Sequence, residues 1–187
     1  MKLLLHTCCA PCLITFITGL DAENFSGKNP KPDLFWYNPN IHPFTEYKAR
    51  RDSLAAFASE EKYELITEDE YGLRRFIGGL YSGGNPAADR CSFCYRLRLQ
   101  KTAMLAAQNG YDAFSATLLV SPYQKHDLIR QTAEEFADQY GVEFFYRDFR
   151  PWYREGRKNA KDRGCYMQKY CGCIFSEEER YLKNNVL

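Results

Sequence analysis

Short apolar runs separated by amphipathic stretches organise this chain. Lys2–Thr7 is an apolar run that predicts a first strand. The segment Leu13–Leu20, after Cys8-Cys9-Ala10-Pro11-Cys12, suits a helix with proline in its first turn. Asp33–Tyr37 reads as a second strand, stopped by the turn-rich Asn38-Pro39-Asn40-Ile41-His42-Pro43. A helix is expected over Thr45–Glu60, with Leu54, Phe57 and Ala58 on one face, then a third strand at Tyr63–Ile66. Residues 81–89 read as a flexible loop, and Cys91–Gln108 as a long helix closed by Asn109-Gly110. Asp112–Val120 is an expected strand, halted by Ser121-Pro122; Lys125–Tyr140 is a helix ending at Gly141, and Val142–Tyr146 a last strand. From Arg150 onward the pattern is polar and irregular, with a short helix near Ser176–Lys183.

Alternating strands and helices predict an α/β fold: a parallel, Rossmann-like (nucleotide-hydrolase-like) sheet with helices on both faces, followed by a basic, mostly irregular or helical C-terminal segment. No long Pro/Gly/Ser linker interrupts the chain, so residues 1–187 are expected to form one domain. Ligands in such sheets bind at the carboxyl ends of the strands. Cys8, Cys9 and Cys12 follow the first strand, the 38–43 turn follows the second, and Ser121–Gln124 follows the strand at 112–120. All three fall on the same predicted edge.

A hydrophobic content of 45% excludes disorder. The 14 Tyr and 13 Phe fit either an aromatic core or a site that stacks planar rings. The first apolar run, Leu3–Leu5, is too short for a leader, and no later stretch suits a membrane span, so a cytosolic protein is expected. In a reducing compartment, eight cysteines point to metal binding or thiol chemistry and not to disulfides.

Net charge is only +1, but its distribution is uneven. Between Arg147 and Lys169 eight Lys and Arg face three acids, interleaved with Phe149, Trp152, Tyr153 and Tyr166. Arg150, Arg154, Arg157, Lys158, Arg163 and Lys169 are the candidates for contact with a nucleic-acid backbone; a solvated charged face is the plainer alternative. A second basic group, Arg90, Arg96, Arg98 and Lys101, flanks Cys91 and Cys94.

Seven cysteines form three clusters: Cys8-Cys9-x-x-Cys12, Cys91-x-x-Cys94 and Cys171-Gly-Cys173. Two-residue spacing lets both thiolates reach one metal or cluster. Adjacent Cys8 and Cys9 strain a mononuclear site and suit two irons or two neighbouring sites. Both CxxC pairs are predicted near helix N-termini, where the dipole favours thiolate. Gly172 would let the backbone approach an inorganic centre. A [4Fe–4S] cluster with a further metal uses all seven thiols. A structural zinc site uses four, a dithiol oxidoreductase two. Cys165 reads as a free thiol.

The segments LLLHTCCAPC, YNPNIHPFTEYKAR, RCSFCYRLRL, FSATLLVSPYQ and YMQKYCGCIFS together resemble the cobalamin-independent epoxyqueuosine reductase family, QueH. That resemblance implies two-electron removal of the epoxide oxygen of epoxyqueuosine, giving queuosine at the wobble position of tRNA, at a [4Fe–4S] cluster with a second, mononuclear iron beside it. It implies as partners a tRNA with a queuosine-type anticodon loop and an electron donor that the residues do not identify. On this reading Cys8, Cys9, Cys91 and Cys94 are expected to hold the cubane, with Cys12, Cys171 and Cys173 facing the second iron. Tyr123, His42 and Tyr47 are candidate proton donors, and His6 a core residue. The alternative from another class is a zinc-stabilised RNA-binding module without redox activity.

Overall fold

A computed structural model describes residues 1–23, 31–82 and 86–182, and for 86–89 the backbone alone. Five strands, β1 (Leu3–His6), β2 (Asp33–Trp36), β3 (Leu65–Thr67), β4 (Ala113–Ala116) and β5 (Glu143–Phe144), form one sheet in the order β3-β2-β1-β4-β5. Every pairing is parallel. Leu3, Leu4 and Leu5 explain why β1 is central: their consecutive apolar side chains are all buried, as a strand covered on both faces requires.

Seven helices are described: α1 (Ala10–Ala22), α2 (Phe44–Glu60), α3 (Leu73–Ser82), α4 (Pro86–Gln108), α5 (His126–Tyr140), α6 (Tyr153–Asp162) and α7 (Ile174–Leu182). α1 packs against α2 and α6, and α4 against α5, so helical layers cover the parallel sheet. α5 ends, as its sequence predicts, at Gly141 in the left-handed conformation, φ +67°. Among the described residues no helix is long and apolar enough to cross a membrane.

Two expectations change, and one helix is added. Residues 81–89 are not one loop: Tyr81 and Ser82 finish α3, and Pro86 opens α4, where its missing N–H costs nothing; residues 83–85 lie outside the described residues. α3 itself is hidden in the sequence by Gly78-Gly79, yet Phe76 and Leu80 are buried at helical spacing. A Cβ on Gly79 would stand 2.4 Å from the Phe93 ring, so that glycine is a packing device and not a breaker. The strand expected through Val120 stops at Ala116, and Thr117–Val120 winds into a 3-10 turn that is equally buried. Continuous burial carries no periodicity to separate the two.

The C-terminal part is also more ordered than its polarity suggests. A 3-10 turn at Arg150–Trp152 leads into α6, and α7 follows. α6 crosses α1 closely because Gly156 has no side chain: a Cβ there would lie 2.4 Å from Thr15 Cα.

Candidate metal centre

From β1 the chain runs outward to β2 and β3, then returns to the other side of β1 to form β4. The order reverses between β1 and β4, and a crevice opens at their carboxyl ends. Cys8 lies there. Its backbone N–H donates to Thr117 Oγ1 at 3.2 Å, and the Thr117 hydroxyl lies 3.5 Å from Cys8 Sγ as a donor. Cys9 is extended (φ −176°, ψ 161°) as the N-cap of α1, and Cys12 comes round on the first turn, with Pro11 between.

The sulfurs of Cys8, Cys9 and Cys12 lie within 4.8 Å of one another, all buried. Cys8 Sγ and Cys9 Sγ are 3.8 Å apart. A tetrahedral metal with sulfur ligands at ~2.3 Å separates its sulfurs by about 3.8 Å. The Cys8–Cys9 spacing is compatible with two sulfurs on one ion and equally with a thiol–thiol hydrogen bond. Thiol hydrogen bonds from Cys12 and Cys9, with Thr117 and Arg98, hold the Cys8 thiol well below its ordinary range. Burial raises Cys9, and hydrogen bonding to Cys8 raises Cys12.

Four further thiols lie nearby, but among the described residues no three of them come within 4.8 Å of one another as Cys8, Cys9 and Cys12 do. Cys91 and Cys94 occupy one face of α4, in its second and third turns and not at its N-terminus as expected. Cys94 packs with Cys173, Phe76 and Leu80, and lies within electrostatic reach of Cys171, Cys173 and Cys91. Burial pushes its thiol up to about 12. Gln124 Nε2 donates to Cys171 Sγ at 3.2 Å, and the Gln124 side-chain oxygen accepts from Tyr95 at 2.6 Å. Gly172 adopts φ +137°, and a Cβ there would meet Ile41 and Arg50 at 3.2 and 3.3 Å. Its freedom thus serves close packing on protein. Cys165 lies apart, packed on the main core after the left-handed Gly164.

Beside these thiols is a cavity of about 770 Å³, with Cys8, Cys12 and Cys171 in its wall. Seven soft thiol donors fit iron and sulfide, and the amide N–H groups of Gln124 and Gln168 (3.4 Å from Cys12 Sγ) suit anionic sulfur.

Of the three candidate proton donors, Tyr123 lines the cavity; it is 83% exposed and meets Tyr153 edge to face. Tyr47 is buried, accepting from Trp36 Nε1 at 3.1 Å and donating to Asp69 at 2.7 Å. His42 is buried against Tyr71 and Phe76, and burial lowers its pKa to about 4. Neither lines the cavity.

The basic candidates separate too. Arg157 and Lys169 line the cavity mouth; Arg154 and Lys158 are exposed on α6. Arg150 pairs with Asp148 at 2.6 Å and Arg163 with Glu61. In the second basic group, Arg90 pairs with Glu179, Arg96 with Glu135 and Lys101 with Glu68. Arg98 is buried. Thr117, Gln168 and Arg50 are site residues that the sequence does not single out; Gln124 closes the Ser121–Gln124 stretch expected at the site edge, and Arg98 belongs to the basic group that flanks Cys91 and Cys94, four residues from Cys94.

The profile described as "Epoxyqueuosine reductase QueH" matches residues 3–179. Relatives named "Epoxyqueuosine reductase QueH" include a protein of Dehalococcoides mccartyi, 39% identical over 98% of this chain and 97% of its own length. One of Thermotoga maritima is 35% identical over 97% of this chain and 93% of its own, and one of Acinetobacter baylyi 31% over 94% and 80%. With the motifs accounted for from Cys8 to Cys173 and the match running nearly end to end, this chain belongs to the epoxyqueuosine reductase QueH family.

Proposed function

We propose that this chain reduces epoxyqueuosine in tRNA to queuosine. The observation that carries the reading is the buried Cys8, Cys9 and Cys12 group at the switch point of the sheet, beside a cavity that also has Cys171 in its wall, in a chain of this family. The reaction takes up two electrons and two protons. Both C–O bonds of the epoxide break, a carbon–carbon double bond forms, and the oxygen leaves as water.

We assign Cys8, Cys9 and Cys12 to a mononuclear iron, and Cys91, Cys94, Cys171 and Cys173 to a [4Fe–4S] cluster. This regroups the division expected from spacing. The support is the 3.8 Å Cys8–Cys9 separation, which suits one ion, and the electrostatic clustering of the other four around Cys94. When bound, the cluster supplies electrons and an iron with an open position supplies a Lewis acid for the epoxide oxygen.

The chain's own residues do the rest. Tyr123 and Tyr153 flank the entrance, where their ring faces can stack a base turned out of the anticodon loop. Arg157 and Lys169 offer charge to the flanking phosphates. The Tyr123 hydroxyl is our choice for delivering a proton to the leaving oxygen, because its ring is on the cavity wall. The electron donor is a separate molecule.

Two measurements bear on this reading. Protein isolated without oxygen should contain iron and acid-labile sulfide; zinc alone would favour an RNA-binding module. Reduced, iron-loaded protein should convert epoxyqueuosine in tRNA to queuosine.

A further inference from the structure

Arg98 is a buried cation that makes no salt bridge among the described residues. It stands on α4 four residues after Cys94 and seven after Cys91, hence on the same face of the helix. Its side chain is 2% exposed, yet it reaches the cavity wall. Its one described hydrogen bond runs from Nη1 to Asn38 Oδ1 at 3.5 Å, the outer limit of such a bond, and its Nε has no partner among the described residues. Asn38 is itself held, donating from Nδ2 to the Thr7 carbonyl at 3.0 Å, and brings no charge.

The contrast with Arg50 is informative. That guanidinium, equally buried, pairs with Glu46 and donates to the carbonyls of Tyr170 and Cys171, although Cys9 and Cys8 act on it too. The strongest electrostatic partners of Arg98 are Cys94, Cys8, Cys171 and Tyr95: thiols from both sides of the cavity and a phenol. A charge is kept in a protein interior when an opposite charge compensates it. The thiols supply that opposite charge once they are thiolates bound to metal.

We propose that Arg98 is the counter-charge shared by the thiols of both sets, and that it favours electron uptake by the iron–sulfur cluster that Cys91, Cys94, Cys171 and Cys173 would hold. This rests on the metal-bearing reading given above. An electron added to the centre adds negative charge. A cation fixed beside it stabilises the reduced form and so raises the reduction potential. Arg98 is a positioning residue in this role, acting through the centre. Being near thiols of both groups, it also favours the loading of each.

The test is an anaerobic redox titration of iron- and sulfide-loaded full-length protein, followed by electron paramagnetic resonance, for wild type, Arg98→Met and Arg98→Lys. Arg98→Met should shift the potential downward by at least the equivalent of a tenfold loss in electron affinity, about 59 mV for one electron. It should also lose iron to a chelator several-fold faster. Arg98→Lys, which keeps the charge, should recover most of the potential, which a merely structural role would not predict. If Arg98→Met does not accumulate folded, Arg98→Gln takes its place with the same expected shift. A charge-free variant that is fully loaded and titrates at the wild-type potential overturns the inference alone. Wild-type protein that takes up no iron and sulfide overturns the metal reading, and the inference with it.

Discussion

Arg50 Nη1 donates to the carbonyl oxygen of Cys171 at 3.0 Å, tying α2 to the loop that carries two of the seven clustered thiols. Nη2 holds the preceding carbonyl, of Tyr170, at 2.9 Å. Glu46, one turn earlier on α2, fixes the guanidinium and accepts from Tyr166 as well. One buried ion pair thus sets the backbone of the Cys171–Cys173 segment. Arg50→Leu leaves Glu46 buried without its cation and frees two carbonyls, and should cost about 3–5 kcal/mol in stability. Denaturant unfolding of the metal-free protein checks this. Replacing Glu46 by Leu as well should recover part of the loss.

The regrouped thiols predict distinct losses for single variants. Cys94→Ser and Cys173→Ser should lose most of their acid-labile sulfide, since both are assigned to the cluster. Cys12→Ser should keep its sulfide and lose about one iron per chain. Iron and sulfide assays on the three proteins check the division. Sulfide lost equally in all three would show one shared cluster.

His42 gives the metal-free protein a dependence on pH. Burial lowers its pKa from 6.5 to about 4, so the folded state holds it neutral. Below pH 6.5 the unfolded chain binds the proton and the folded chain does not. The stability contribution is therefore complete above pH 6.5 and is lost as pH falls towards 4. At pH 5 the loss from this residue is about 2 kcal/mol. His6, lowered to about 4 chiefly by burial, acts in the same direction. Denaturant midpoints measured from pH 7.5 to 5 should fall, and fall less in His42→Phe. An unchanged slope in that variant would contradict the assignment.

Gly156→Ala should destabilise the protein by about 1–3 kcal/mol, because the added methyl collides with the α1 backbone at Thr15. Moving α6 away from α1 also moves Arg157 relative to Cys12. Thermal melting checks the first effect, and weaker binding of the tRNA the second.

The sequence made the frame legible where two signals agreed. The Leu3–Leu5 run, Pro11 and Gly141 each combine apolar pattern with a chain stop or start, and β1, α1 and α5 lie within a few residues of expectation. The loop edge on which Cys8, Asn38 and Ser121 converge followed from strand order alone. α3 was hidden because Gly78 and Gly79 suggest a break, although the Phe93 ring fills the space. The division of the thiols between two centres is not legible in their spacing, because spacing along the chain says nothing of which turns face each other. The basic residues around Cys94 have partners that their spacing does not reveal. They are taken up by acids far along the chain, Arg90 by Glu179 and Arg96 by Glu135. Arg98 is the one of the four that makes no salt bridge among the described residues.

The most direct measurement is conversion itself. Chemically reduced, iron- and sulfide-replete protein is incubated without oxygen with tRNA carrying epoxyqueuosine, and the digested nucleosides are analysed by mass spectrometry. The account predicts loss of one oxygen from the modified nucleoside to give queuosine, and no conversion by Cys8→Ser. Fully loaded, reduced protein that binds this tRNA and leaves epoxyqueuosine intact would contradict it.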